Sequence, residues 1–133
     1  MVEGLVAPCP HLSLGQETGD YKKLKVWVKA DAFVLAIYRA TENFPVAERY
    51  GLRSQIRRAA VSVPSNLVEG AGRDTDPQFQ QYVRNALGSA NEVGYQLTLA
   101  DRLGFIPSPR AKELESEAIE LRKMLAALLR NSG

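Results

Sequence analysis

Arg49, Arg53 and Arg57 stand four residues apart. Steps of four stay on one side of an α-helix, so the three guanidinium groups form a slanting row. Lys22, Lys23, Lys25 and Lys29 make a second basic group closer to the start of the chain. Arginine and lysine contacts to phosphate supply most of the sequence-independent affinity for nucleic acid. Tyr21 and Trp27 lie beside the lysines and offer ring faces on which bases can stack. The competing reading is a solvated helix face, with Glu42 and Glu48 as ion-pair partners for the arginines. Two details favour binding: the rings of Tyr21 and Trp27 beside the lysines, and the arginines in the first half of a helix, which oppose its dipole so that helix stability does not account for them.

Arg58, Glu69, Arg73 and Glu92 are the other candidate constellation. Paired carboxylates can do acid–base work, but here each has arginines for company. The four read better as a polar network joining the second and third helices, within one chain or across subunits. The expectation is therefore no catalytic residue and no enzyme. The one histidine, His11, and the one cysteine, Cys9, sit together near the start of the chain, away from any helix. They leave no nucleophile–base pair, no structural zinc set and no Glu-x-x-His metal motif of the kind that helical bundles carry. Gly70-Ala71-Gly72-Arg73 follows a helix rather than a strand and lacks Gly-Lys-Ser/Thr, so it is not a phosphate-binding loop. No cofactor and no metal are expected.

The elements that must hold these residues are helical. Residues 1–21 show no periodicity and read as a flexible leader. A first helix is expected from Tyr21 to Asn43, stopped by Phe44-Pro45, with the second starting at Pro45. In the second helix Leu52, Ile56, Ala59, Val63 and Leu67 recur at steps of three and four, the mark of a buried face. Tyr50, Ser54, Arg57, Val61, Ser65 and Val68 run down the opposite side, mostly small or apolar. The first helix is just as broadly apolar. A monomer needs one apolar face per helix, so two faces point to another subunit. Pro64 should kink the second helix. Gly70 and Gly72 should end it near Glu69 in left-handed conformations. Asp76-Pro77 reads as a cap followed by proline. Phe79, Val83, Ala86, Ala90, Val93, Leu97 and Ala100 then form a coiled-coil-like seam, and Gly104 ends that helix. Ser108-Pro109 starts a fourth, with Leu114, Ala118, Leu121, Leu125 and Leu128 at heptad spacing. The expected fold is all-α, an up-down-up-down antiparallel four-helix bundle over residues 22–131.

Ser-Gln-Ile-Arg-Arg-Ala-Ala-Val-Ser-Val-Pro-Ser-Asn at 54–66, followed by Glu69-Gly70 and Gly72-Arg73, resembles the signature of a bacterial family. These are the ribosomal RNA intervening-sequence proteins, four-helix bundles encoded within insertions in large-subunit ribosomal RNA genes. The resemblance extends to Leu-Lys-Val-Trp at 24–27, Phe-Pro at 44–45, Tyr-Gly-Leu at 50–52 and Leu-Gly-Ser-Ala-Asn-Glu-Val-Gly-Tyr-Gln-Leu at 87–97. The family is in turn similar to the accessory variability proteins of diversity-generating retroelements. Those are basic, form pentamers and associate with a reverse transcriptase and nucleic acid. The resemblance implies a homopentameric accessory scaffold that binds RNA or DNA, RNA foremost, beside a protein partner such as a reverse transcriptase. The alternative is a structural protein–protein interaction module in which the arginines serve the subunit interface.

The totals agree with this picture. A chain of 133 residues, 45% hydrophobic and 24% charged, is long enough for one domain with a real core. The net charge of +2 is mild, so only clustering argues for a polyanion partner. A lone cysteine allows no intrachain disulfide and suits a cytoplasmic location. No apolar run is long enough to span a membrane, and the first residues lack the pattern of a signal peptide.

Overall fold

The computed structural model describes residues 21–132; the leader expected at 1–21 lies outside the described residues except for its last position. A short 3-10 turn, Tyr21–Lys23, leads into helix α1, Lys25–Ala40. A second 3-10 turn, Val46–Glu48, precedes α2, Leu52–Ala71. Helices α3, Asp76–Arg102, and α4, Ser108–Ser132, complete the fold.

Each helix packs on its chain neighbour, and α1 also packs on α4, so the four close around one core. Neighbours are antiparallel. Arg57, early in α2, bonds the end of α1. Arg73, just past α2, bonds Tyr82 near the start of α3. Asp101, at the end of α3, pairs with Lys112 early in α4 at 3.5 Å. This is the up-down-up-down bundle the periodicity predicts. The expected faces are the buried ones: Ile56, Val63 and Leu67 from α2, Val83, Val93 and Leu97 from α3, and Leu114, Leu121 and Leu125 from α4 all have no more than trace exposure. Phe33 and Ile37 of α1 fill the remaining side. Side chains of this kind contribute ~1.5–3 kcal/mol each on full burial.

Helix ends differ from the sequence expectation, each for a local reason. Helix α1 stops at Ala40, not Asn43: Glu42 N turns to Arg39 O, and Tyr38 O accepts from Arg57 Nη2 at 3.0 Å instead, while the buried Thr41 hydroxyl adds a bond to Ile37 O at 2.8 Å. Helix α2 starts at Leu52 rather than Pro45. Gly51 leaves the helical region, and the Glu48 carboxylate accepts the Leu52 N–H at 2.8 Å, capping the first turn. The cap of α3 is Thr75, not Asp76. Its hydroxyl accepts from Gln78 N, while the Gln78 side chain accepts from Thr75 N, a reciprocal capping box.

Neither Gly70 nor Gly72 adopts a left-handed conformation; Gly104 is the one glycine with positive φ among the described residues. Gly70 lies inside α2, and a Cβ there would stand 2.8 Å from the Tyr82 Cβ. It is needed for close approach of α3, not for a turn. Gly104, at φ 77°, does end α3 as expected, donating to Asp101 O while Phe105 N donates to Ala100 O. That is the Schellman pattern, which satisfies two terminal carbonyls. Pro64 is buried within α2, which runs on to Ala71; beside it the Asn66 amide donates to Ser62 O at 2.8 Å.

Candidate nucleic-acid interface

Arg49 caps the turn before α2, and Arg53, Arg57 and Arg58 follow on the first two turns of the helix. Because Arg49 precedes the break at Gly51, the row is not one continuous helical stripe. The chain still gathers all four guanidinium-bearing residues along one open groove of about 630 Å³ between α2 and the end of α1. Two tyrosines, Tyr38 and Tyr50, share it, and Ser54 and Val61 complete the lining. No carboxylate lines this groove. Glu48, expected as an ion-pair partner, is turned to the Leu52 N–H instead, and none of the four arginines forms an ion pair with Glu42 or Glu48. Cations lining a groove without counter-charges focus a positive field on whatever enters it.

The four arginines do different work. Arg57 Nε donates to Thr41 Oγ1 at 2.8 Å and Nη2 to Tyr38 O at 3.0 Å. Its guanidinium lies over the Tyr38 ring, 4.4 Å from the centroid. Arg57 therefore opposes the dipole of its own helix but sits at the negative end of α1, where a cation is favourable. It is a strut between two helices. Arg58 donates to Ser54 Oγ at 3.0 Å. The side chains of Arg49 and Arg53 make no hydrogen bond or ion pair within the described residues, so their guanidinium groups take no part in holding the fold.

The lysines are not part of this groove. Lys25 opens α1 and Tyr38 lies near its end, so the helical rise puts about 20 Å between Lys25 and the groove and about 13 Å between Lys29 and the groove. Lys22, Lys25 and Lys29 sit at the far end of the bundle, and nothing is described of the Lys23 side chain. Nor are the two neighbouring rings offered to bases. Tyr21 is buried, and Trp27 packs edge-on against it at 5.1 Å with a buried indole N–H. The ring that is offered is Tyr50, 87% exposed. The sequence carries the signal for it: Tyr50 lies directly after Arg49 and three residues before Arg53, an aromatic interleaved with cations.

Arg58, Glu69, Arg73 and Glu92 fall in two places rather than one network. Arg73 pairs with Glu69 at 2.7 Å and donates to the Tyr82 hydroxyl at 2.9 Å, tying the end of α2 to α3. Glu92 accepts from Gln96 at 3.2 Å. It lines a second groove, of about 510 Å³, on the α3 side of α2, together with Arg58, Ser62 and Ser89. Arg58 and Glu92 share that groove without forming an ion pair. Ser89 donates to Ser62 across the two helices at 2.8 Å. Tyr50, Ser54 and Arg58 line both grooves. A smaller hollow of about 240 Å³ between α3 and α4 has one arginine, Arg122, and one carboxylate, Glu115, and gathers no such set.

Among family models, the one described as 23S rRNA-intervening sequence protein matches residues 22–127. The chain belongs to that family. For this intervening-sequence protein, a search of curated proteins finds no match. A solved structure of a protein of unknown function from the S23 ribosomal protein family, from Bacteroides thetaiotaomicron, is similar with a TM-score of 0.73 and 23% identity. The likeness covers 79% of this chain and 95% of that one, and it shows a shared fold. Among the described residues of the intervening-sequence protein, no three His, Cys, Asp or Glu side chains group to hold a metal ion, and no helix is long and apolar enough to cross a membrane.

Proposed function

We propose that this chain is a non-enzymatic, oligomeric scaffold that binds RNA through the arginine groove of α2. The observation that carries the reading is the groove itself: four arginines, two tyrosines and no carboxylate along one open surface. Within it, Arg49 and Arg53 take phosphates, Arg57 holds the wall, and Arg58 stands at the rim. Family membership supports RNA as the polyanion. The lysines at the far end of α1 extend the contact only where an RNA, or a ring of subunits, bridges that distance.

The oligomer is a ring of identical chains, a pentamer by resemblance, in the cytoplasm. Val28, Leu35, Val61 and Val68 support assembly, since α1 and α2 expose them without a partner in the monomer. A ring multiplies a modest charge per chain into an extended basic surface. A protein partner such as a reverse transcriptase rests on resemblance alone, and co-purification tests it.

The experiment is Arg49→Glu with Arg53→Glu, followed by sedimentation of the protein with labelled structured RNA across a salt series. Binding should weaken at every salt concentration, and the slope of log affinity against log salt should fall by about 2. The mass of the assembly should not change. The apolar face beside the groove favours one other reading, a protein–protein module whose arginines serve the subunit interface. In that case the same variant sediments as a smaller species, and the wild type ignores RNA even at low salt.

A further inference from the structure

The two grooves meet along Tyr50, Ser54 and Arg58, and beyond these shared residues their linings differ in charge. On the α1 side stand the arginines and no acid. On the α3 side stand the hydroxyls of Ser62 and Ser89 and the carboxylate of Glu92. Between them projects Tyr50, 87% exposed and lining both. A duplex presents phosphates on its outside and hides its base edges, so it has no use for a carboxylate, which would repel its backbone. An unpaired nucleotide has a phosphate at one end, a flat ring in the middle and a hydrogen-bonding edge at the other, and this order matches the trough.

We propose, building on the reading above, that the trough takes a single-stranded stretch of RNA. Phosphates lie at Arg49 and Arg53, a base stacks on Tyr50, and its exocyclic amino group donates to Glu92. Glu92 is placed for this. Gln96 donates to one of its oxygens, the other has no partner among the described residues, and the nearest turn of α3 is pinned to α2 by the Ser89–Ser62 hydrogen bond. Asn66 donates to the same Ser62 hydroxyl at 3.0 Å, which holds that pair in turn. A carboxylate accepts but cannot donate, so it selects an amino-bearing edge over one that presents a carbonyl. Cytosine and uracil differ at that position in just this way.

The test uses the whole protein with three labelled RNAs at low salt: a cytidine 12-mer, a uridine 12-mer and a blunt hairpin duplex. The cytidine strand should bind best, and the uridine strand roughly 5-fold weaker or more. Tyr50→Ala should weaken both single strands by roughly 5- to 150-fold, while Tyr50→Phe, which keeps the ring, should bind like the wild type. Glu92→Ala should remove the preference for cytidine without weakening uridine. Tyr50 and Glu92 are both exposed, so these variants should fold. Equal binding of duplex and single strands, unmoved by Tyr50→Ala, overturns the trough while leaving the arginine groove intact. A cytidine preference that survives Glu92→Ala overturns the role of Glu92. Failure of every RNA to bind at low salt overturns both this inference and the function it rests on.

Discussion

A guanidinium group in this groove is either spent on the fold or left for a ligand, and its partners decide which. Arg57 is spent. It closes two hydrogen bonds to the end of α1 and stacks on Tyr38. Hydrogen bonds from a charged donor are worth roughly 1.5–3 kcal/mol each, less where water competes. Truncation leaves the wholly buried Thr41 without its donor. Arg57→Ala should therefore cost about 1–3 kcal/mol of stability, read as a lower denaturant midpoint at unchanged slope. Arg53→Ala should stay within about 0.5 kcal/mol of the wild type, the usual range for a surface change, and lower RNA affinity instead. Equal destabilisation by both would mean that the division is wrong. The sequence shows all three members of the row at equal spacing, and nothing in the spacing separates them. What separates them is the position of Tyr38 and Thr41, which becomes visible once α1 is laid antiparallel to α2. The same holds for Tyr21 and Trp27. Their neighbours in the chain are lysines, but their neighbours in space are core side chains.

At the level of elements, the buried faces were legible from periodicity alone, because a stripe at steps of three and four has one way to meet a core. The seam of α3 and the heptads of α4 lie where their spacing places them. The ends were less legible, because a helix is stopped by contacts as well as by residue types. Thr41, Glu48 and Thr75 each cap an end through a side-chain bond that competes with the proline signals nearby. Glycines mislead for a related reason: one residue type serves both left-handed turns and close packing. Gly70 does the second. Its missing side chain lets α3 come near enough that a Cβ would meet the Tyr82 Cβ at 2.8 Å and the Phe79 ring at 3.2 Å. Gly70→Ala should push the two helices apart and cost about 1–3 kcal/mol, despite the better helix propensity of alanine. Gly88 and Gly94 on α3 have nothing within 4 Å of such a Cβ. Gly88→Ala should then be neutral or stabilising by up to about 1 kcal/mol in the single chain. Thermal unfolding of the two variants side by side checks both: a loss for Gly70 and none for Gly88.

For the whole molecule, the decisive quantity is the apolar surface that one chain leaves open. The core is complete without a partner, since every helix already buries one face. Yet α1 still exposes Val28 at 54% and Leu35 at 51%, and α2 exposes Val61 and Val68 on the side away from its core stripe. Single exposed apolar side chains need no explanation, but two helices in contact that each repeat the pattern at a spacing of seven make a face. A second copy covering that face, as proposed, would leave the arginine groove, which adjoins it at Val61, at the edge of the contact. Assembly and binding should therefore separate by mutation. Leu35→Glu with Val68→Glu, both remote from Arg49 and Arg53, should yield a smaller species by sedimentation with helical circular dichroism intact. A short RNA that contacts one groove should still bind that species with a similar site affinity, whereas a long RNA should lose the advantage of engaging several grooves at once. An unchanged mass would show that the face is not the contact between copies. Loss of short-RNA binding together with the mass would place the groove within the subunit interface, as the protein–protein module requires.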